Sequence, residues 1–501
     1  MRKPLFPLSI LRLLLAAGLI AAGRPLLYAQ DDAAAQGSNT QEAPQPDEGS
    51  PENQGGGRNQ QPHELSDKVS TTLQNVQKLT DAKDYNGAIA QIDALLPTVG
   101  PTSYDLAVLS ATKAQIFFQK NDYMAAQDSI ETALKLGDTY GYFDPKTRQQ
   151  FRYILVSLYS EKAQEAKDPA IQSAFYDKAR STIERWFAIY KKDPQSHATS
   201  ASYSNEFAQA EAAYASLLFN IALRDPHNPD KALIQKALDA INVAMRSTLH
   251  PSDTYYVLKL AAYQNLGDFS DAADVLEYLL KSKPDNKSYW QQLAAFYLNL
   301  AGMAEEKQDD AGARQNYIRA ILTMERAQQH GAMNTSKDNF RLVSLYFNVG
   351  QYDQAAALLD KGLHDGSIDS TPDNWKTLAA AYQQSHKDLK AVEILKEAAQ
   401  LYPKSGQYDF LAAQILYGMN DTVGALKALQ SCVARDGGDK PSEAWRFLIY
   451  LAFELQKFDL ASDAIEHYAK YPEAKPKEVE NFREAVKSSL AQRDRASQKI
   501  Q

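Results

Sequence analysis

The chain has 501 residues, 44% of them hydrophobic, a length that on its own would predict about three ordinary domains. Its formal net charge of −8 makes nucleic acid an unfavourable partner, because a phosphate backbone requires a basic surface. Cys432 is the only cysteine, so the chain has no internal disulfide and its fold depends on packing of the core.

The N-terminal residues have the pattern of an export signal. Arg2 and Lys3 precede the apolar run of residues 13–23, and Ala29 provides a small residue before the sequence becomes polar. The run is about half as long as the roughly 20 residues of a bilayer-spanning helix. We therefore expect a secretory signal peptide at residues 1–29, cleaved near Ala29, and a soluble periplasmic protein after cleavage. Retention of this segment as an anchor is the alternative.

A polar tract follows the signal sequence. From residue 30 to residue 62 the chain is rich in Gln, Gly, Pro, Asn and acidic residues, and it contains no aromatic residue. Such a tract cannot bury enough apolar surface to offset the entropy lost on ordering. Its glycine run, Gly55-Gly56-Gly57, precedes no Gly-Lys-Ser/Thr sequence and so lacks the context of a phosphate-binding loop. We expect a disordered acidic linker over residues 30–65.

A short turn pattern recurs along the rest of the chain. It consists of Gly, an acidic or amide residue, an aromatic residue and, three positions later, Ala, as at residues 267–272 and 350–355. Aromatic and aliphatic residues return at fixed distances from this anchor alanine; Ala391, for example, has Tyr382 nine residues before it and Leu395 four after it. The anchors are Ala88, Ala126, Ala179, Ala237, Ala272, Ala313, Ala355, Ala391, Ala425 and Ala461.

The pattern predicts stacked pairs of helices. Two antiparallel amphipathic helices require a small residue where their backbones approach, and a single hairpin cannot bury its apolar face alone. From Ala355 to Ala461 the anchors lie 36, 34 and 36 residues apart. Around Ala179 the spacing reaches 53 and 58 residues, which we attribute to inserted loops at Asp168-Pro169 and at residues 225–229.

These offsets resemble those of the tetratricopeptide-repeat (TPR) family over about residues 66–472, most clearly from residue 256 onward. The resemblance implies an all-α fold, a right-handed superhelical TPR solenoid of antiparallel helix pairs with about ten units. Divergent repeats are expected at residues 66–250 and a regular array at residues 251–476. A capping helix and tail are expected at residues 477–501, where the apolar residues are Val479, Phe482, Val486 and Leu490.

A narrower resemblance rests on residues 356–363, 366–368, 374–379 and 432–438. These stretches are similar to periplasmic TPR proteins encoded beside TonB energy-transduction systems. The resemblance implies a scaffold whose partners are TonB and its motor proteins ExbB and ExbD. A general exported TPR protein in envelope assembly or secretion is the alternative, and an enzyme that merely contains repeats is a third.

Residue types that carry chemistry are present but dispersed. The eight histidines occur singly, and the sequence contains neither His-Glu-x-x-His nor Gly-x-Ser-x-Gly. Cys432 lies seven residues after Ala425, where a repeat packs a small side chain, so we expect a buried structural thiol. The four tryptophans are expected to pack in the core. We predict no catalytic residue, metal, cofactor or small-molecule substrate.

The TPR resemblance also implies a binding groove. The first helix of each pair lines a concave face, through positions 18, 15, 11, 8 and 7 residues before the anchor alanine. Here these positions hold amides and aromatic residues, which suit an extended peptide or a helix; ordinary surface residues are the alternative. The predicted groove residues are Gln264, Asn265, Phe340, Ser344, Phe347, Asn348, Lys376, Gln383, Gln384, Phe410, Gln414, Tyr417, Arg446, Tyr450 and Phe453.

Overall fold

The computed structural model describes residues 63–192 and 201–498, and in these ranges it contains twenty-one α-helices and no strand. The helices form two compact units, the first ending at Asp268 and the second beginning at Phe269. The predicted all-α fold of stacked helix pairs is confirmed. The predicted repeat regions at residues 66–250 and 251–476 differ in how closely they follow the repeat pattern, which the division into two units does not test, so they stay a prediction.

In unit 1, each helix packs against the next one along the chain. The helices are α1 (Asp67–Asp81), α2 (Tyr85–Leu95), α3 (Tyr104–Gln119), α4 (Gln127–Tyr140), α5 (Pro145–Glu165), α6 (Pro169–Lys192), α7 (Ala201–Ala222), α8 (Lys231–Arg246) and α9 (Asp253–Leu266).

In unit 2, successive helices again pack against each other. They are α10 (Phe269–Ser282), α11 (Lys287–Glu306), α12 (Asp310–Gln329), α13 (Ser336–Asn348), α14 (Tyr352–Asp365), α15 (Pro372–Gln384), α16 (Asp388–Leu401), α17 (Gln407–Gly418), α18 (Thr422–Arg435), α19 (Pro441–Glu454), α20 (Phe458–Tyr468) and α21 (Pro476–Gln498). In unit 2, the helices that contain an anchor alanine are the second helices of the repeat pattern, namely α10, α12, α14, α16, α18 and α20. The first helices are α11, α13, α15, α17 and α19.

The anchor alanines are buried where two helices approach. Ala355, Ala391 and Ala425 have no exposed surface, and the largest exposed fraction among the ten anchors is 5%, at Ala313. A larger side chain at these positions would push apart backbones that are already packed. The role predicted for the anchors from their spacing is confirmed.

The turn between two paired helices requires a left-handed backbone. Gly267 and Gly350 adopt it with φ of 88° and 72°. Glycine does so without strain, whereas a residue with a Cβ atom costs roughly 1 kcal/mol or more there. Glycine in the sequence pattern therefore identifies only two of these turns, because the remaining turns place another residue type in the left-handed conformation. The non-glycine residues in this conformation are Lys83, Asn121, Gln308, His386, Asn420 and Gln456.

The wide anchor spacing around Ala179 comes mainly from long helices. α5, α6 and α7 contain 21, 24 and 22 residues. Only residues 166–168 connect α5 to α6, so the expectation of an inserted loop at Asp168-Pro169 is wrong. Extra helical turns lengthen a repeat without leaving backbone groups unpaired, as a buried loop would.

The last helix, α21, packs against α20 and occupies the predicted position of the cap. Val479 and Val486 are 5% and 3% exposed, while Phe482 and Leu490 are half-buried. Its apolar side therefore covers the end of the core, as the sequence predicted.

None of the helices in the described ranges is long and apolar enough to cross a membrane. The predicted signal peptide, its cleavage near Ala29 and residues 30–62 of the predicted linker lie outside the described residues. Helix α1 begins at Asp67, after the predicted end of the linker at residue 65.

Candidate partner-binding surface

The first helices α13, α15, α17 and α19 follow one another across unit 2. The N–H of Asp369, just before α15, donates to Ser336 Oγ of α13 at 2.9 Å, and the Tyr408 hydroxyl of α17 donates to the Pro372 carbonyl of α15 at 3.4 Å. These bonds hold neighbouring first helices together at their N-terminal ends. We define the first-helix surface by the predicted residues on these helices, which are Phe340, Ser344, Phe347, Asn348, Lys376, Gln383, Gln384, Phe410, Gln414, Tyr417, Arg446, Tyr450 and Phe453.

No side chain of the first-helix surface is buried. Tyr417, Tyr450 and Phe453 expose 44%, 49% and 38% of their area, which is high for aromatic residues. Exposed aromatic residues grouped on one face mark interaction sites more often than scattered ones do. The half-buried members are Phe340, Phe347, Lys376 and Phe410, and the others are exposed.

Aromatic rings join α17 to α19. The Phe447 ring of α19 contacts Tyr417 edge-to-face at a centroid distance of 5.4 Å and Phe410 at 6.5 Å. Phe447 is half-buried and lies 14 residues before Ala461, a position to which the sequence pattern gave no binding role. The prediction therefore missed the residue that connects two of its own candidates. The sequence feature that could have identified Phe447 is an aromatic residue on a first helix at a position that the repeat pattern does not assign to the core.

The C-terminal part of the surface contacts the capping helix. Arg446 forms a 3.1 Å ion pair with Glu478 of α21, and Tyr450 packs edge-to-face on Phe482 at 5.5 Å. Glu478 also accepts a 3.1 Å hydrogen bond from the Tyr468 hydroxyl. Arg446 and Tyr450 are thus placed by contacts that the sequence did not predict. A cleft of about 470 Å³ opens there, lined by Ser442, Glu443, Arg446, Tyr468, Glu473, Lys475, Lys477, Glu478 and Asn481.

Polar groups interrupt the aromatic residues. Gln383 and Gln384 are exposed at the C-terminal end of α15, and Gln414 is exposed on α17. An amide can both donate to and accept from a peptide backbone, so it suits an extended ligand of varied sequence. Lys376 is engaged by Asp373 at 2.7 Å within its own helix.

Two predicted groove residues, Gln264 and Asn265, lie on α9 in unit 1. Gln264 is exposed. Asn265 is half-buried, and its amide donates to the Ala261 carbonyl at 2.8 Å within the same helix. Asn265 therefore already uses one of its donors internally.

Tyrosines beneath the surface fix the first helices in place. Tyr346 of α13 donates to Glu325 of α12, and Tyr382 of α15 donates to Asp360 of α14. Burial and these carboxylate acceptors raise the pKa of both phenols above the usual range, so the hydroxyls remain donors at neutral pH. The first helices are thereby held in position before any ligand arrives, which lowers the entropy cost of binding.

The structure also gives the positions of residue types that could carry chemistry. Within residues 63–192 and 201–498, no cluster of three or more His, Cys, Asp or Glu side chains could hold a metal ion. Cys432 is buried, as predicted, and burial raises the pKa of its thiol to about 12. Trp445 is half-buried and stacks on His467 at 4.3 Å. The other tryptophans, Trp186, Trp290 and Trp375, are buried as predicted.

No protein-family model matches the sequence, and no curated protein matches it either. Solved structures with similarity include YrrB, described as a TPR protein with an unusual peptide-binding site, at 14% identity and a TM-score of 0.27 over 42% of this chain and 100% of that one. MamA from Desulfovibrio magneticus RS-1 matches at 16% identity and a TM-score of 0.25, over 38% and 96% of the two chains. Yeast Tom70 matches at 12% and 0.25, over 85% and 96%. At these identities and TM-scores, none of them indicates what the present chain binds.

Proposed function

We propose that the protein is a non-catalytic scaffold that binds a segment of another protein along the first-helix surface. The observation that carries this proposal is the row of exposed and half-buried aromatic and amide side chains on four neighbouring first helices. Its aromatic part continues from Phe410 and Tyr417 through Phe447, and its amide part is centred on Gln383 and Gln384.

An extended or helical peptide suits this surface better than a small molecule. Tyr417, Tyr450 and Phe453 offer flat apolar area and lose little side-chain entropy on contact. The amides can pair with backbone groups at several registers, so affinity does not depend on one ligand sequence. Small-molecule sites are mostly concave and enclose their ligand, whereas these exposed side chains are distributed over four helices.

The finer proposal is that the protein is exported and that TonB, ExbB or ExbD supplies the bound segment. It rests on the N-terminal sequence pattern and on the resemblance carried by residues 356–363 and 432–438. The alternative keeps the same surface and assigns it to a different envelope protein, in assembly or secretion.

Affinity capture from the native envelope tests both levels of the proposal. The bait is the tagged chain, compared with the triple variant Phe347→Ala/Gln383→Ala/Tyr417→Ala. The matched control removes three exposed side chains from second helices, Tyr278→Ala/Leu322→Ala/Leu401→Ala, whose residues are 46%, 51% and 53% exposed. Since interface hot spots each cost about 1–2 kcal/mol or more when truncated, the first variant should lose capture and the control should keep it.

The outcomes separate the two levels. If the wild type and the control capture TonB, ExbB or ExbD and the triple first-helix variant does not, the result supports both the scaffold proposal and the TonB proposal. Capture of a different envelope protein with the same dependence on the variant keeps the scaffold and rejects the TonB proposal. Capture that is equal in all three chains rejects the first-helix surface.

A further inference from the structure

In unit 1, two arginines contact one aspartate, and a third arginine lies near enough to affect them electrostatically. Arg152 of α5 is 3% exposed and donates to both carboxylate oxygens of Asp138 in α4. Arg148, one turn earlier on α5, places its guanidinium 3.7 Å from the same carboxylate. Arg185 of α6 lies close enough to repel Arg152.

Gln149 joins α5 to α6 at this point, while the Arg152–Asp138 pair joins α5 to α4. The Gln149 side-chain oxygen accepts from Arg152 at 3.2 Å, and its nitrogen donates to the Trp186 carbonyl of α6 at 3.1 Å. Arg152 is therefore held in one position by contacts with Asp138 and Gln149.

The described contacts of this cluster place two arginines on one carboxylate and leave two donors without a partner. Two arginines share the Asp138 carboxylate, and Arg185 adds a third positive charge nearby. The Nε–H groups of Arg148 and Arg152 are both buried without a hydrogen-bond partner in the described structure. Buried donors and like charges at close range are each unfavourable, so a further acceptor with negative charge would relieve both.

Burial lowers the pKa of Arg152, and repulsion from Arg185 and Arg148 acts in the same direction, although Asp138 opposes them. The site has access from solvent, because Arg148 and Asp138 are 26% and 24% exposed and Arg185 is exposed. This concentration of positive charge occurs in a chain whose net charge is −8. The charge pattern is that of an anion site.

We propose that Arg148, Arg152 and Arg185 form a binding site for an oxyanion, either the carboxylate of an acidic protein segment or a phosphate group. The planar guanidinium matches both groups, since two of its N–H donors can bond two oxygens at once. Arg152 anchors the site through Asp138, while Arg148 and Arg185 supply the exposed charge.

Calorimetric titration of the purified chain with two probes tests the site. The probes are inorganic phosphate and a hexaglutamate peptide, at constant ionic strength set with sodium chloride. The test variant is Arg148→Gln/Arg185→Gln, which leaves the buried Arg152–Asp138 pair in place. The control is Arg180→Gln on α6, whose guanidinium is exposed and pairs with Glu184 at 2.9 Å.

We expect at least one probe to bind the wild type and the control equally. Each lost charge-assisted contact should weaken affinity about tenfold, so the test variant should bind about a hundredfold more weakly. Arginine-detected nuclear magnetic resonance should show the Nε–H signals of Arg148 and Arg152 shifting with the bound probe in the wild type.

Binding of phosphate alone identifies a small oxyanion as the ligand, and binding of hexaglutamate alone or more tightly identifies an acidic protein segment. The proposal is wrong if neither probe binds the wild type, or if the test variant binds as tightly as Arg180→Gln. Far-ultraviolet circular dichroism of each variant establishes that a loss of binding is not a loss of fold.

Discussion

The two units hold neighbouring helix pairs together by different means. In unit 2, the part-buried hydrogen bonds between neighbouring pairs include two from neutral hydroxyls to carboxylates, Tyr346 to Glu325 and Tyr382 to Asp360, and the ion pairs Arg446–Glu478 and His364–Glu397 are partly exposed. In unit 1, α4 and α5 have one such hydrogen bond, from Tyr159 to Glu131 at 2.8 Å, and in addition the buried ion pair of Arg152 and Asp138. Among the residues whose burial is described, unit 2 thus buries no arginine or lysine, whereas unit 1 buries Arg152.

This difference shows that a buried tyrosine joins neighbouring helix pairs at a lower desolvation cost than a buried arginine does. A tyrosine fills the apolar space between pairs with its ring and satisfies one carboxylate with its hydroxyl, so it costs little to bury. A buried guanidinium loses its hydration and depends entirely on its partners. Unit 2 can therefore keep its first helices in place without a buried guanidinium, while unit 1 contains a buried arginine that depends on Asp138.

The largest expected effect is in unit 1. Arg152→Met keeps most of the side-chain volume but leaves Asp138 without its main partner, so we expect the free energy of unfolding to fall by about 3 kcal/mol. Urea denaturation measures the loss, and hydrogen exchange should locate faster opening in α4, α5 and α6. Arg180→Met, at an exposed ion pair, should change stability by less than about 0.5 kcal/mol. Equal effects of the two substitutions would contradict the importance of the buried pair.

The second largest expected effect is a loss of stability in unit 2 caused by steric overlap in α14. Gly362 of α14 packs against Ile368, whose Cγ1 atom would lie 2.5 Å from a Cβ atom added at this glycine. The Ile368 N–H also donates to the Gly362 carbonyl at 2.9 Å, so the isoleucine cannot easily move away. We expect Gly362→Ala to destabilise unit 2 by about 2 kcal/mol in urea denaturation.

A matched glycine provides the control. Gly302 lies in α11, and a Cβ atom there would meet nothing within 4 Å. Gly302→Ala should therefore stabilise the protein by roughly 0.5–1 kcal/mol, through helix propensity alone. Destabilisation by both substitutions would mean that contact with Ile368 is not the cause.

The smallest expected effect is a pH dependence at His364 in unit 2. Its ring contacts the Asp360 carbonyl at 2.7 Å and Glu397 of α16 at 3.0 Å. The Asp360 carbonyl first, and Glu397 in addition, raise the pKa of His364, while partial burial opposes them. Since the folded pKa is raised, the stabilisation is complete below the unfolded value of about 6.5 and is lost as the pH rises through the folded pKa.

We expect His364→Gln to cost about 0.5 kcal/mol near pH 5.5 and nothing at alkaline pH, because the pair is half-exposed. Urea denaturation of both chains across this pH range measures the difference. Glu397→Gln should reduce the same pH dependence. A difference between wild type and His364→Gln that grows with pH would show that the sign is wrong.

The spacing of small and aromatic residues predicted the repeated helix packing, but it did not predict the ion pairs and ring contacts between neighbouring helix pairs. Ala391 and Tyr382 follow directly from the pattern, because close helix packing restricts which side chains fit. Arg152 carried no such signal, since a charged residue on an amphipathic helix is normally solvent-exposed. Phe447 was missed because fixed repeat positions do not describe how neighbouring first helices share aromatic contacts. Helix length around Ala179 was misjudged as loop length for a similar reason, since an anchor spacing counts residues without showing their conformation.

Site-specific photocrosslinking tests the central claim most directly. A photoreactive phenylalanine analogue replaces Gln383 or Tyr417 on the first-helix surface, and Tyr278 or Leu401 on second helices in separate chains. We predict that the same partner protein is crosslinked in the envelope from both first-helix positions and from neither second-helix position. Crosslinks from Tyr278 and Leu401 to that partner, with none from Gln383 and Tyr417, would contradict the assignment of the binding surface.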